Sequence, residues 1–290
     1  MKLIKTLPLF LITLIFYGCE EPTIDYEKNI GDIVTEEGVL MYKGDPFSGK
    51  TTRFFEDGRL EEVLSYDDGL LDGVSKFYHP DGRLNSKGNY KDGKVEGEWV
   101  QYYENDQLHK KVNYIDGILN GESTVYYENG KFDTKGNYKD GEEDGEWITY
   151  FENGKLGSEG TCKDGNLNGE HVSYYENGEL ETRGTYIDGQ RYGEWLWYNE
   201  NGKLESEGTY KDGNLNGEHI RYYENGKFDT KGNYKDGEED GEWITYFENG
   251  KLWLKGNYLD GKEDGEWVWY DQNGQLEMKQ IYKDGRVVYN

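Results

Sequence analysis

The chain of 290 residues contains no alanine. Helices use alanine more freely than any other residue, so its absence argues against a mainly helical protein. Only 2 Cys and 4 Pro are present, and two cysteines cannot form a disulfide framework. Lys and Arg number 33 against 59 Asp and Glu, a net charge of -26. Because this field repels phosphates, we expect neither nucleic acid nor a bare anionic membrane surface as a partner.

Aromatic residues and glycine are abundant instead, with 27 Tyr, 10 Phe, 8 Trp and 41 Gly. High charge and a mean hydropathy of -1.02 are typical of disordered chains. Disordered chains are poor in aromatic residues, whereas these make up 16% of this sequence. The composition therefore indicates a folded protein.

The first residues are typical of an export signal. Lys2 and Lys5 precede the apolar run of residues 7–17, which is too short to span a bilayer as a stable helix. The run ends at Gly18-Cys19, which resembles the lipobox of bacterial lipoproteins. We therefore expect a signal peptide over 1–18, lipid attachment at Cys19 and a tether over 19–30. This predicts a lipid-anchored protein of the cell envelope, at the outer membrane or the cell surface. An ordinary signal peptide with a chance cysteine is the alternative.

One unit of 24 residues recurs ten times without an insertion. Its first glycine is found at Gly49, Gly73, Gly97, Gly121, Gly145, Gly169, Gly193, Gly217, Gly241 and Gly265. An Asp-Gly pair keeps the same period, and an Asn-Gly or Asp-Gly turn lies between them. Residues 126–156 are identical to residues 222–252, an offset of four units. Such a period indicates a repeat architecture.

Each unit is predicted to form a β-hairpin, because Asn-Gly between aromatic and β-branched runs favours a turn with two positive φ angles. In the unit 145–168, this turn at Asn153-Gly154 sets Trp147 opposite Gly160 and Phe151 opposite Leu156. The Asp-Gly pair is expected in a short loop into the next unit. Alternation then predicts one face with Trp147, Phe151, Leu156 and Cys162, and another with Ile148, Tyr150 and Glu159.

The predicted fold is all-β: an elongated, single-sheet antiparallel β-meander solenoid of ten β-hairpin repeats over residues 49–290. About twenty strands at roughly 4.8 Å each give a sheet on the order of 100 Å long. Residues 31–48 form an N-terminal capping half-repeat in this prediction. Each hairpin buries its rings on its neighbours, since a lone hairpin is unstable in water.

The unit Y-K-D-G-x-x-x-G-E-W-x-x-Y-Y-E-N-G resembles the MORN repeat in its bacterial variant, over residues 31–290. The resemblance implies a protein–protein interaction module that is not an enzyme and needs no cofactor. Bacterial proteins of this type are described as antitoxins of toxin–antitoxin systems or as lipoproteins, and eukaryotic arrays as scaffolds or membrane-associating modules. Thr51 and Ser75 depart from the pattern at the Trp position, as do Leu64, Val112 and Gln280 at the mid-strand Gly.

Three motifs suggest chemistry that their context does not support. Residues 44–51 match the phosphate-binding pattern G-x-x-x-x-G-K-[ST], yet a strand is predicted to follow where that site needs a helix. Residues 164–169 and 212–217 match half of a calcium loop, but Tyr175 and Tyr223 stand where the bidentate Glu belongs. Neither a catalytic residue nor a dedicated metal site is predicted, although weak divalent binding on the acidic loops at 142–144 and 238–240 is left open.

The histidine and cysteine residues of the repeats are interpreted as structural residues. His171 and His219 occupy the Trp position two units apart, about 19 Å from each other, which is too far for one zinc ion. We interpret both as aromatic-sized residues of the packed face. Cys162 stands where nine other units have Tyr, and is predicted to be a buried free thiol.

A tyrosine stripe is the remaining candidate site. It is expected on the more polar face, either as a stiffening stack or as a contact surface for an extended ligand or protein. Its members are Tyr102, Tyr126, Tyr150, Tyr174, Tyr198, Tyr222, Tyr246 and Tyr270. The first hypothesis is a protein partner, such as a basic toxin that the acidic surface would suit. A glycan or cell-wall polymer is the alternative, and a lipid-associated scaffold ranks third; membrane contact is expected through the lipid anchor only.

Overall fold

The computed structural model describes residues 21–36 and 38–288. The predicted signal peptide 1–18 and Cys19 lie outside these residues. The described chain consists of strands and turns, as the sequence predicts. It includes no helix with the length and apolar character needed to cross a membrane.

The N-terminal part forms a small separate sheet and one added strand. Strand β1 pairs in parallel with β5, the first strand of the repeats. Strands β2, β3 and β4 pair antiparallel, and Ile33, Leu40 and Phe47 form a buried cluster there. Part of the segment expected as a tether therefore belongs to the folded body. The strand bounds are β1 Thr23–Asp25, β2 Ile33–Glu36, β3 Val39–Tyr42, β4 Asp45–Pro46 and β5 Gly49–Phe54.

The repeats form one continuous antiparallel sheet, in which the long strands pair with each other in chain order. The two short strands at Leu70–Leu71 and Glu142–Glu143 each pair with the same neighbour as the strand that follows them. With β1 the sheet has 24 strands. This confirms the predicted meander. The remaining strands are β6 Leu60–Asp67, β7 Leu70–Leu71, β8 Gly73–Tyr78, β9 Leu84–Lys91, β10 Lys94–Tyr102, β11 Leu108–Ile115, β12 Ile118–Tyr126, β13 Phe132–Lys139, β14 Glu142–Glu143, β15 Gly145–Tyr150, β16 Leu156–Lys163, β17 Asn166–Tyr174, β18 Leu180–Ile187, β19 Gln190–Tyr198, β20 Leu204–Lys211, β21 Asn214–Tyr222, β22 Phe228–Lys235, β23 Glu238–Tyr246, β24 Leu252–Leu259, β25 Lys262–Tyr270, β26 Leu276–Lys283 and β27 Arg286–Val287.

The Asn-Gly turn differs from the prediction. Only Gly154 has a positive φ there, 89°, and its N–H donates to the carbonyl of Phe151 at 2.7 Å. The Asn153 side chain accepts from the N–H of Lys155 at 2.8 Å, which favours a right-handed Asn followed by a glycine bulge. Because of this bulge Leu156 pairs with Tyr150, so the prediction that it lies opposite Phe151 and shares the Trp147 face is wrong.

The Asp-Gly pair is the turn with two positive φ angles. Asp164 and Gly165 have φ of 48° and 75°, and the flanking Lys163 and Asn166 pair directly. This is the two-residue geometry whose twist matches that of the flanking strands. The connection between units is therefore a second tight hairpin rather than a loop, and consecutive units merge into one ladder.

The tryptophan rings couple neighbouring units. Trp147 pairs with Gly160 as predicted, but its indole ring lies on Gly136, the glycine of the preceding unit. A β-carbon at Gly136 would overlap the ring. The same contact recurs for Trp99 on Gly88, Trp195 on Gly184, Trp243 on Gly232 and Trp267 on Gly256. Each ring thus covers a strand of the unit before it, which explains why lone hairpins need neighbours.

Candidate functional site

Register and alternation divide the sheet into two faces. We call the face with Trp147, Thr149, Ser158 and Cys162 the tryptophan face, and the face with Tyr150 and its equivalents the tyrosine face. Thr149 and Ser158 oxygens are 2.7 Å apart on the tryptophan face, in agreement with this division. The stripe residues Tyr102, Tyr126, Tyr150, Tyr174, Tyr198, Tyr222, Tyr246 and Tyr270 each end a strand, and all eight are half-buried.

Each stripe tyrosine pairs across its hairpin with an apolar residue. Tyr150 pairs with Leu156, and Tyr126 pairs with Phe132. The Phe132 ring lies 4.9 Å from Tyr126 and 6.0 Å from Tyr150, so it connects the rings of two units. Lys135 Nζ lies 3.3 Å from the centre of the Phe132 ring. Ring contacts therefore connect neighbouring stripe tyrosines at Phe132 and at Phe228, where the other hairpins have Leu, and a cation lies over the Phe132 ring.

A second set of tyrosines fixes the spacing of the stripe. The hydroxyl of Tyr103 donates to the carbonyl of Tyr126 at 2.8 Å, one unit further on. Tyr127 makes the same bond to Tyr150, Tyr175 to Tyr198, and Tyr223 to Tyr246. These bonds tie each stripe backbone position to the neighbouring unit. The stripe is accordingly held at a regular interval along the sheet.

Charged residues accompany the stripe on the tyrosine face. In five units an exposed Glu forms an ion pair with a cation 13 residues later: Glu98 with Lys111, Glu170 with Arg183, Glu218 with Lys231, Glu242 with Lys255 and Glu266 with Lys279. In two central units the cation is replaced by Glu159 and Glu207. Glu146 and Glu194, which hold the first position of the pair there, thus face another carboxylate in place of a cation.

The central tyrosines respond to these carboxylates. The Tyr222 hydroxyl donates to Glu207 Oε1 at 2.7 Å. Burial, this bond and the Glu207 charge raise the pKa of Tyr222 well above its usual value. Burial first, and the charge of Glu159 second, raise the pKa of Tyr174. Both phenols therefore remain protonated at neutral pH.

The tryptophan face carries the other residues that the sequence analysis singled out. His171 and His219 lie in the Trp row, edge-to-face with Tyr186 and Tyr234 at 5.6 and 5.8 Å. Burial lowers the pKa of both imidazoles. Cys162 is a buried free thiol. These placements confirm the interpretation of all three residues as parts of the packed face.

The motifs set aside in the sequence analysis lie in ordinary β-structure. Residues 49–54 form strand β5, so the helix that a phosphate-binding loop needs is replaced by a strand. Asp164 and Asp212 occupy the left-handed positions of Asp-Gly turns. Within residues 21–36 and 38–288, no group of three or more His, Cys, Asp or Glu is arranged to hold a metal ion.

Glu159 and Glu207, which we call the acidic centre of the tyrosine face, were not identified in the sequence analysis. The signal of this centre is visible only after alignment of the units, because Glu159 and Glu207 are single substitutions in a row that is basic in every other unit except the first, which has Val63. The register then shows which carboxylates lose their cationic partner.

Comparison with known proteins identifies the repeat. The model of the MORN repeat variant matches nine segments: residues 71–92, 95–116, 119–140, 143–164, 167–188, 191–212, 215–236, 239–260 and 263–284. None of the curated proteins matches the chain.

Several solved structures share a low similarity with the chain. A crystal structure of TcdB2-TccC3-Cdc42 is 14% identical, covers 80% of this chain and 14% of that one, and has a TM-score of 0.19. A crystal structure of TcdB2-TccC3 is 11% identical over 81% of this chain and 17% of that one, also at 0.19. The Tc holotoxin pore of Photorhabdus luminescens is 13% identical over 86% and 16%, at 0.18. The chain thus spans less than a fifth of their length, and TM-scores this low support no argument.

Proposed function

The chain belongs to the MORN repeat variant family, and from this premise we propose that it is a non-catalytic interaction module that binds a basic protein through its tyrosine face. The narrower form of the proposal is an antitoxin or immunity protein. Attachment to the cell envelope through a lipid on Cys19 is part of the same proposal. Membership of a repeat family used for interaction supports the first statement, and the charge of -26 supports the choice of a basic partner.

The observation that carries the proposal is the acidic centre of the stripe. Between Tyr150 and Tyr222, Glu159 and Glu207 replace the cations that neutralise the same row elsewhere. Lys and Arg side chains of a partner can pair with these carboxylates and lie over the adjacent rings. Aromatic residues at the centre of a surface are also those that contribute most to protein interfaces.

Site-specific photo-cross-linking tests this proposal in the full chain. A benzophenone amino acid in place of Tyr174 or Tyr198 should yield one discrete protein adduct, whereas the same probe in place of Thr182 on the tryptophan face should not. The double variant Glu159→Lys, Glu207→Lys restores the basic row and should weaken partner binding about tenfold or more.

A charge-matched control separates the site from the overall field. Glu176→Lys with Glu200→Lys changes the net charge equally, but on exposed turns, and should weaken binding only slightly. Equal adducts from both faces, or equal effects of the two double variants, would contradict the proposal.

Glycan binding is a second candidate, favoured by exposed Trp253. Its side chain is 42% exposed and lies 5.8 Å from the Phe247 ring, which leaves an aromatic surface for a sugar. Retention of the chain on envelope polysaccharide, lost in Trp253→Ala, would favour this function over a protein partner. A lipid-associated scaffold ranks third because the acidic surface opposes anionic headgroups.

A further inference from the structure

A cavity of about 350 Å³ opens on the tryptophan face, at the unit 145–168 and its junctions with the units before and after it. Its walls include Trp147, Cys162, Leu167, His171, Glu143 and Ser158. It lies on the opposite face from the tyrosine stripe, and is therefore independent of the partner proposed above.

On the tryptophan face, Trp and Tyr rings alternate in a row along the sheet, and the cavity lies where this row lacks a ring. Trp195 lies between Tyr186 and Tyr210, at 4.9 and 6.4 Å, and Trp243 lies between Tyr234 and Tyr258, at 5.8 and 5.5 Å. Trp147 has Tyr138 on one side, at 5.2 Å, and the small Cys162 on the other. One side of the indole thus lacks the second phenol ring that Trp195, Trp243 and Trp267 have.

The chain contains a natural counterpart of this segment. Residues 158–171 and 206–219 are identical except that Cys162 corresponds to Tyr210. In the second segment the Tyr210 ring contacts Trp197 at 5.9 Å as well as Trp195. Within these two segments the cysteine is therefore the single difference, and it removes a ring.

Polar groups around the cavity are incompletely satisfied. Trp147 Nε1 and His171 Nδ1 are two of three buried side-chain atoms that lack a hydrogen-bond partner among the described residues. Trp195 Nε1 and Trp267 Nε1, by contrast, each donate to a backbone carbonyl at 3.2 Å. Native proteins leave few such groups unpaired, so this part of the face is less completely packed than the rest.

We propose that the cavity binds one phenol ring, which packs edge-to-face against Trp147 and donates its hydroxyl to Glu143. Phenol is the group that the nine other units place at this position. Glu143 Oε2 already accepts from Cys162 Sγ at 3.7 Å, a weak bond that a hydroxyl would replace with a stronger one. Glu143 also disfavours anionic ligands. Small phenols and tyrosine side chains share this chemistry.

Fluorine NMR of the full chain with 4-fluorophenol tests the proposal. The wild type should broaden and shift the signal in a saturable manner, and Cys162→Ser, which keeps the cavity, should behave similarly. Cys162→Tyr fills the cavity with the chain's own ring and should weaken binding about tenfold or more. Should this variant fail to fold, His171→Trp fills the cavity from the other wall.

Four further compounds complete the test. Fluorobenzene, which lacks the hydroxyl, should bind about fivefold more weakly than 4-fluorophenol. N-acetyltyrosinamide should displace 4-fluorophenol: displacement at lower concentration than p-cresol indicates a tyrosine side chain, and the reverse indicates a small free phenol. No saturable signal in the wild type, unchanged binding in Cys162→Tyr, or displacement by methyl glucoside instead would overturn the proposal.

Discussion

The indole ring of Trp147 lies directly on the backbone of Gly136, so that a β-carbon at position 136 would overlap the ring. The corresponding glycine of the next unit, Gly160, faces His171, whose Cδ2 atom is 3.1 Å from where a β-carbon would lie. The two glycines hold the same repeat position but differ in the ring above them. They therefore offer a direct test of how strongly the tryptophans couple neighbouring units.

Gly136→Ala should destabilise the array by about 1–3 kcal/mol, because the indole cannot move without leaving its own packing. Gly160→Ala should cost less than about 1 kcal/mol, since a small imidazole beside a cavity can shift. Urea unfolding followed by tryptophan fluorescence, with hydrogen exchange to locate the loss, measures both. Equal losses of stability in the two variants would show that the ring above the glycine does not determine the cost of the substitution.

Asp164→Ala should destabilise the second hairpin turn by about 1 kcal/mol, because alanine tolerates a positive φ poorly while Asp and Asn tolerate it well. Asp164→Asn is the matched control and should be nearly neutral. Local hydrogen exchange at residues 163–166 reports the change. A neutral alanine variant would contradict a left-handed residue at this position.

Stability should fall as the pH is lowered through the range in which the imidazoles titrate. Burial lowers the pKa of His171 and His219 in the folded chain, so the unfolded chain binds protons first. Folding free energy is therefore lost from about pH 6.5 downward, until the lower folded pKa is passed. Urea midpoints between pH 8 and pH 5 measure this loss. The double variant His171→Trp, His219→Trp should lose less stability over the same interval, and an identical loss would assign the effect to carboxylates.

Deletion of residues 145–168 should leave a folded, shorter array, because each unit contacts mainly its neighbours. Circular dichroism should keep its β-sheet signal, and small-angle scattering should show a length reduced by about 10 Å, two strand spacings. The deleted chain should also lose 4-fluorophenol binding. Deletion of residues 217–240 is the control that shortens the array but keeps the cavity. Global unfolding of either variant would contradict an architecture of nearest-neighbour units.

The repeat period predicts the architecture of this protein but not its turn geometry. Strict spacing and strand-forming residues suffice for a single antiparallel sheet with Trp147 opposite Gly160, and both are found. Asn-Gly and Asp-Gly favour the same turn type by composition, so the sequence does not distinguish them. The bond from Lys155 N–H to the Asn153 side chain favours the bulged form of the Asn-Gly turn. The bulge places Leu156 on the tyrosine face.

The cavity could not be predicted from the residues taken one at a time, for a different reason. Cys162 and His171 each have a plain interpretation as smaller residues of the packed face. The cavity forms because the two residues are neighbours on strands β16 and β17. The Trp147 ring beside them lies on the preceding unit and does not fill the space. The sequence shows that Cys162 replaces the tyrosine of the other units, but it does not show the volume that this replacement leaves.

Strand β1 pairs with β5 and so covers the first edge of the repeat sheet. An uncovered edge strand offers its backbone groups to any other chain and so templates fibre-like growth. Here a parallel strand pairs along that edge, with backbone bonds such as Lys50 N–H to the Pro22 carbonyl at 2.8 Å. Removal of residues 21–30 would uncover the backbone groups of β5, so molecules clipped there should aggregate more readily than the intact chain.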